Sequence, residues 1–323
     1  MRTGSITPLA FAQRLADNPP VTEGVITLIA AAPAERRLDG FAAALGAALR
    51  ALGADLGGAS WLAPDTACDL AFSDLAIDQA DAAARRLLAG DFAGLPVDIV
   101  AQPAAGRRKL LLVADMESTA IDNEMLDEMA DLIGIGGKVA AITRRAMNGE
   151  LDFAASLKER VALFKGRPAS LLAEAATRIR VNPGAATLVR TMRRHGARTV
   201  LVSGGFYAFS NIVRDMIGFD RDAANELIVE NGRIAGTLRE PILDAAGKAA
   251  ALEKFAAEYG IDRALSLAVG DGANDLPMLE AAGLGIAYRA KPHVQARIGH
   301  RIDHADLTAL LYLQGYRDSD FAA

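Results

Sequence analysis

Three apolar runs in this chain end abruptly in groups able to do chemistry. Leu110-Leu111-Leu112-Val113-Ala114 runs into Asp115-Met116-Glu117-Ser118-Thr119. Residues 198–202 run into Ser203-Gly204-Gly205, and 265–269 into Asp271-Gly272-Ala273-Asn274-Asp275. Lys248 stands in an alanine-rich stretch between the last two. Apolar runs of this length, bounded by polar residues, read as buried parallel strands. The residues just past such strands occupy the sheet edge where open α/β folds bind ligands. Taken singly, each group is ordinary: a cap, a loop, a turn, a solvent-exposed lysine. Gathered at one sheet edge, they make a reaction centre.

The chemistry they share is phosphoryl transfer. Asp115 is a candidate nucleophile that would form an aspartyl-phosphate. Glu117, two residues on, shares its face in an extended chain. It is placed to protonate the leaving oxygen and then deprotonate the attacking water. Mg²⁺ and a lysine would offset the charge that makes a phosphate monoester resist an anionic nucleophile. Asp115 and Asp271 offer the hard oxygens Mg²⁺ needs, with waters and a backbone carbonyl completing the set. Ser203 and the Gly204 amide, expected at a helix N-terminus, would bond phosphate oxygens, with Lys248 as a point charge. The scheme requires Asp115 ionised and Glu117 protonated when substrate binds. No P-loop pattern is present.

The elements that must hold these groups follow from periodicity. Residues 1–22, with Pro19-Pro20, read as an arm. Strand 25–30, helix 35–52, strands 57–62 and 67–72, helix 77–88 and strand 97–101 give β-α-β-β-α-β, the ferredoxin-like plan. That order, ahead of a catalytic unit, resembles an ACT-like regulatory or dimerising module over 23–104. A boundary at 102–108 opens a second domain, 105–323. After its first strand, four helical stretches (122–133, 138–147, 152–162, 169–179) interrupt the alternation and read as a helical cap over about 122–181, with junctions near Ile121 and Val181. Alternation then resumes with helix 185–195, strand 198–202, helix 206–216, a hairpin around Asn231-Gly232, helix 246–259, strands 265–269 and 284–287, and a closing helix 306–313 with Asp306 as N-cap.

Composition narrows the class. The 323 residues are 51% hydrophobic and 23% charged, enough for two cores, and the net charge is −5. No basic block suggests nucleic acid, and no apolar run suggests a membrane span or a signal peptide. The single Cys68 cannot form an internal disulfide and reads as a buried strand residue, consistent with a reducing, cytoplasmic setting. A homodimer through the N-terminal domain is expected.

The strand-end motifs resemble the haloacid dehalogenase superfamily and, within it, the phosphoserine phosphatases, over roughly residues 108–316. That family's first motif, D-x-D-x-[TV], stands here as Asp115-Met116-Glu117-Ser118-Thr119; Ser203, Lys248 and Asp271-Gly272-Ala273-Asn274-Asp275 match the other three. The resemblance implies a Rossmann-like core with a helical cap, Mg²⁺ dependence, and hydrolysis of O-phospho-L-serine as the last step of serine synthesis. It also implies Asn274 at the substrate, the Glu117 carbonyl on the metal and Asp275 behind it. In the cap it assigns Glu124 to the substrate ammonium, Arg160 to its carboxylate, and Met147 and Phe153 to shielding. An amino-acid substrate independently asks for one anion and one forked cation. Glu117 departs from the family's usual Asp by one methylene, with a similar intrinsic pKa. Alternatives are another small-molecule phosphatase or phosphotransferase of this superfamily, on phosphohomoserine for example, a phosphorylated receiver, and an amino-acid sensor.

Overall fold

A computed structural model of the chain describes residues 23–31, 37–147 and 150–322; the 1–22 arm lies outside them. The chain divides into two compact units, Met1–Arg107 and Arg108–Ala323. No described helix is long and apolar enough to cross a membrane.

The first unit contains β1 (Gly24–Ala30), helix Arg37–Ala51, β2 (Asp55–Leu56), β3 (Ser60–Ala63), β4 (Ala67–Ser73), helix Ile77–Ala89 and β5 (Val97–Pro103). Its antiparallel sheet runs β2-β4-β1-β5, with β3 also on β4. Alternate residues Ile26, Leu28, Leu70, Phe72 and Ile99 pack against Phe41, Leu45, Leu49, Ala80 and Ala84 of the two helices. The strand expected over 57–62 is divided in two. Gly57-Gly58 has no side chain to pack, and pairing falls to the residues on either side. Cys68 is a free, buried thiol whose pKa burial pushes up to about 12.

The second unit is built on a six-stranded parallel sheet: β6 (Leu111–Asp115), β7 (Arg198–Phe206), β8 (Arg221–Asn225), β11 (Ser266–Gly270), β12 (Leu284–Tyr288) and β13 (Arg301–Ile302), with a separate hairpin of β9 (Leu227–Glu230) and β10 (Arg233–Leu238). Strand order is β13-β12-β11-β6-β7-β8. β6 is therefore central, and the chain leaves it to one side for β7 and returns on the other at β11. That reversal opens a crevice at the carboxyl ends of β6 and β11. Leu111, Val113, Val200, Val202, Leu252, Phe255 and Ala268 form a core under one face.

Helices Met125–Leu132, Gly136–Met147, Phe153–Ala162 and Ser170–Ala176 make the inserted cap. Ile121 and Val181 pair where the chain leaves and rejoins the core. The first cap helix begins at Met125 rather than 122. Residues 122 and 123 are instead tied to the returning chain, Asp122 N donating to Arg180 O and Asn123 Oδ1 accepting from Arg180 N. Asp152 caps the third cap helix by accepting from Ala155 N at 2.7 Å.

Several expected boundaries shift for local reasons. β7 does not stop at Val202 but continues in extended form to Phe206, and the next helix spans Tyr207–Ile217. β8 has a polar sequence at the sheet edge, which gives no apolar run to detect. The hairpin turn has φ of 49° at Asn231 and 73° at Gly232, as a type I′ turn requires. The closing helix is short, Ala309–Leu313; Asp306 instead holds a turn before it by accepting from Thr308 N at 2.8 Å.

Candidate active site

β6 ends at Asp115, and the neighbouring strands bring their own ends to its level. Asp115 lies beside Val202 of β7, and Ala114 beside Val269 of β11. Lys248, on helix Ala245–Tyr259, reaches the same point and is 1% exposed. Its Nζ donates to Asp115 Oδ1 at 2.5 Å and to Asp275 Oδ1 at 2.7 Å. A lysine on an alanine-rich helix would ordinarily sit in solvent; here it is a buried counter-charge. Burial alone would lower its pKa, but the two carboxylates outweigh that and raise it. Asp115 is raised well above the usual carboxylate range by burial and by Asp275, against the pull of Lys248. Gly270 is obligatory here, because a methyl group there would come within 2.5 Å of the Asp275 carboxyl carbon.

Oxygens of Asp115, Asp271 and Asp275 lie within 4.8 Å of one another, all buried. Asp275 has both oxygens committed, one to Lys248 and the other to Gly272 N at 2.9 Å. Asp115 and Asp271 are the two that could hold a cation, although one oxygen of each has a lysine near it. Hard oxygens in an acidic, buried cluster fit a hard cation. Burial and neighbouring acids raise the Asp271 pKa, with Lys291 opposing; a cation would relieve the same repulsion.

β6 stops at Asp115, so Glu117 reaches the site from the loop beyond it, not from extended strand. Its Oε1 accepts from Met125 N at 2.8 Å. A methyl group at Gly205 would come within 3.0 Å of both Glu117 Oε2 and Ser203 Oγ. The glycine thus makes room for the acid beside the serine. The Glu117 pKa is pushed up to about 8, first by burial and then by Glu124, with Met125 N–H, Lys248 and Arg160 opposing. Its carboxyl carries a proton at neutral pH. Ser203 Oγ accepts from Gly205 N at 2.8 Å. Because β7 continues through these residues, Ser203 and Gly204 lie in strand and not at the helix N-terminus expected from sequence.

Among the cap residues, Glu124 is exposed and precedes helix Met125–Leu132; its Oε1 accepts from Ser118 Oγ at 2.9 Å. Ser118 has φ of +55°, an uncommon conformation for a residue with a side chain. Arg160 is half-buried and its charge is felt at Glu117 and Asp127. A methyl group at Gly204 would come within 2.8 Å of Phe153 Cζ and 3.8 Å of Asn274 Nδ2. Phe153, Gly204 and Asn274 therefore meet. Met147 ends its helix, and its side chain lies outside the described residues. Lys291, given no role from sequence, has Nζ 3.4 Å from Asp271 Oδ2. Its position just past β12, another strand end, was the available signal. The Met125 amide and Gly205 left no comparable signal.

The family model of the haloacid dehalogenase-like hydrolases matches residues 112–280. The chain is 43% identical to the phosphoserine phosphatase of Haemophilus influenzae over 208 residues, which is 64% of this chain and 66% of that protein. Across four curated relatives at that identity, the chain spans 54% to 66% of their own lengths. A crystal structure of a haloacid dehalogenase family hydrolase from Salmonella enterica serovar Typhi superposes with TM-score 0.79 at 30% identity, covering 90% of this chain and 98% of that one. A substrate-bound phosphoserine phosphatase complex superposes with TM-score 0.60 at 36% identity, covering 64% and 98%.

Proposed function

The chain belongs to the haloacid dehalogenase-like hydrolases, and from that membership we propose that it hydrolyses O-phospho-L-serine to L-serine and phosphate. The carrying observation is the convergence of Asp115, proton-bearing Glu117 and the Ser203–Gly205 strand end, in a unit whose cap presents Glu124 and Arg160. The 43% identity to a phosphoserine phosphatase supports the same substrate. In the first step an Asp115 oxygen bonds phosphorus, the ester P–O bond breaks, and Glu117 gives its proton to the serine oxygen. In the second, Glu117 takes a proton from water, whose oxygen attacks phosphorus and frees Asp115. Ser203 Oγ, Gly204 N and Asn274 hold phosphate oxygens, and Lys248 offsets their charge while holding Asp115 in place. Members of this family generally use a metal ion. We assign Mg²⁺ to Asp115, Asp271 and the Glu117 carbonyl, with Asp275 behind; bound there it would neutralise charge on the phosphoryl group.

In the cap, Glu124 takes the substrate ammonium and Arg160 the carboxylate, while Phe153 and Met147 shield the centre. Domain limits of 23–104 and 105–323, with the cap over about 122–181, accompany this assignment. The ferredoxin-like first unit is an ACT-like module that pairs two copies of the chain in the cytoplasm, and serine synthesis ends at this enzyme. Phosphate release from phosphoserine with Mg²⁺, beside EDTA, Asp115→Asn and a panel of other phosphomonoesters, tests the activity. Metal-dependent turnover that prefers phosphoserine and is lost in Asp115→Asn is expected; indifference to phosphoserine would overturn the substrate. Sedimentation of the full chain tests the pairing, and a monomer at micromolar concentration would remove it.

A further inference from the structure

The two chain crossings that join cap to core are tied together by side chains no step above uses. Asp122 N donates to Arg180 O at 2.9 Å, and Asn182 N to Ala120 O at 3.0 Å. Asn182 Nδ2 donates to Thr119 O at 2.7 Å. Asn123 sits between the crossings, 2% exposed. Its Oδ1 accepts from Arg180 N at 2.7 Å, and its Nδ2 donates to Glu128 Oε1. Glu128 in turn pairs with Arg178 at 3.2 Å and Arg180 at 3.8 Å. A buried amide with both ends engaged is held firmly, because leaving either end unmet is costly.

The residue after Asn123 is Glu124. Glu124 O accepts from Glu128 N at 3.0 Å, closing the first turn of the helix. The Glu124 carboxylate is held separately, by Ser118 Oγ at 2.9 Å. The backbone of Glu124 is thus fixed by one network and its carboxylate by another.

We propose that Asn123 and Glu128 are positioning residues that lock the two crossings together and thereby set where Glu124 presents its carboxylate to a substrate amino group. The inference rests on the substrate reading above. Neither side chain touches the reacting atoms. Their effect falls on recognition of the amino group, because Glu124 is the group whose backbone they fix.

The test uses the full chain with Mg²⁺ and the variants Asn123→Ala, Asn123→Asp and Glu128→Gln. Asn123→Asp leaves no cavity: it keeps an acceptor for Arg180 N but removes the donor to Glu128 and adds a like charge. KM for O-phospho-L-serine should rise roughly tenfold in both Asn123 variants, with kcat within about twofold of the parent. The inhibition constant of L-3-phosphoglycerate, which carries a hydroxyl where phosphoserine carries its ammonium, should not move. Glu128→Gln should give a smaller rise of the same kind. Amide hydrogen exchange at Asp122 and Asn182 should accelerate in the Asn123 variants. Unchanged KM in both Asn123 variants, or equal weakening of phosphoserine and L-3-phosphoglycerate, would overturn the inference. A parent enzyme that binds phosphoserine no better than L-3-phosphoglycerate would instead overturn the substrate reading.

Discussion

Lys248 Nζ stands 2.5 Å from Asp115 Oδ1 and 2.7 Å from Asp275 Oδ1, so one buried ammonium joins the end of β6 to the turn beyond β11. Removing one member of a buried ion network strands the others without water or partner. Lys248→Met should lose about 3–5 kcal/mol in urea unfolding at pH 7.5 with EDTA present. Adding Asp275→Asn should restore part of that loss. A Lys248→Met chain as stable as the parent would mean that the two acids ionise without it.

Glu117 titrates near 8, so its proton is present at neutral pH and lost above that value. In the proposed mechanism it is the leaving-group acid and must start protonated, so kcat should fall as pH rises through this region. Glu117→Gln should abolish that alkaline limb and lower kcat roughly 10²–10⁴-fold. Stability runs in a linked direction. The folded chain keeps this proton up to about 8, while an unperturbed carboxyl releases it near 4.5. Stability present below the lower value is therefore lost as pH rises toward the upper one. Glu117→Gln should melt higher than the parent at pH 8, with the difference gone at pH 4.

Gly205 and Glu117 should prove coupled. The methyl group of Gly205→Ala would crowd Glu117 Oε2 and Ser203 Oγ at 3.0 Å. That variant should lose roughly 10²-fold in kcat. Adding Glu117→Asp should recover part of the loss, because the shorter acid vacates the contested space, whereas Glu117→Asp alone should cost activity by giving up the Met125 amide. Additive losses in the double variant would place the two effects apart.

A cation at Asp115 and Asp271 should stabilise the fold as well as activate it. Mg²⁺ at about 100 times its dissociation constant should add about 2.7 kcal/mol to unfolding, reversed by EDTA. Asp271→Asn should abolish that shift and leave the Lys248 pairing with Asp115 intact. A Mg²⁺ effect of full size in Asp271→Asn would move the cation elsewhere.

The residues of this centre were readable because parallel strands are apolar on both faces and turn polar only where they end. Asp115 and Asp271 each stand at such a break, and Ser203 stands where the apolar run of β7 ends although the strand does not. What could not be read was the use of each side chain. Lys248 in an alanine-rich helix looks solvated, and only the fold puts it between two acids. Ser203 looks like a loop residue because two glycines follow it, yet β7 continues through them. The edge strand β8 has no apolar run. The clasp around Asn123 joins residues nearly sixty positions apart, and no local pattern marks it.

Phe153 comes over Gly204 closely enough that even a methyl group there would strike its ring. A phosphorylated aspartate reacts with an alcohol as readily as with water, so reactivity does not decide whether the phosphoryl group is released or handed to a second molecule. Under the mechanism above, space decides it. The bare α-carbon at 204 lets the Phe153 ring close against β7, which leaves less room for a second alcohol once serine has gone. A side chain at this one position would hold the ring off and turn a hydrolase toward exchanging phosphate between alcohols.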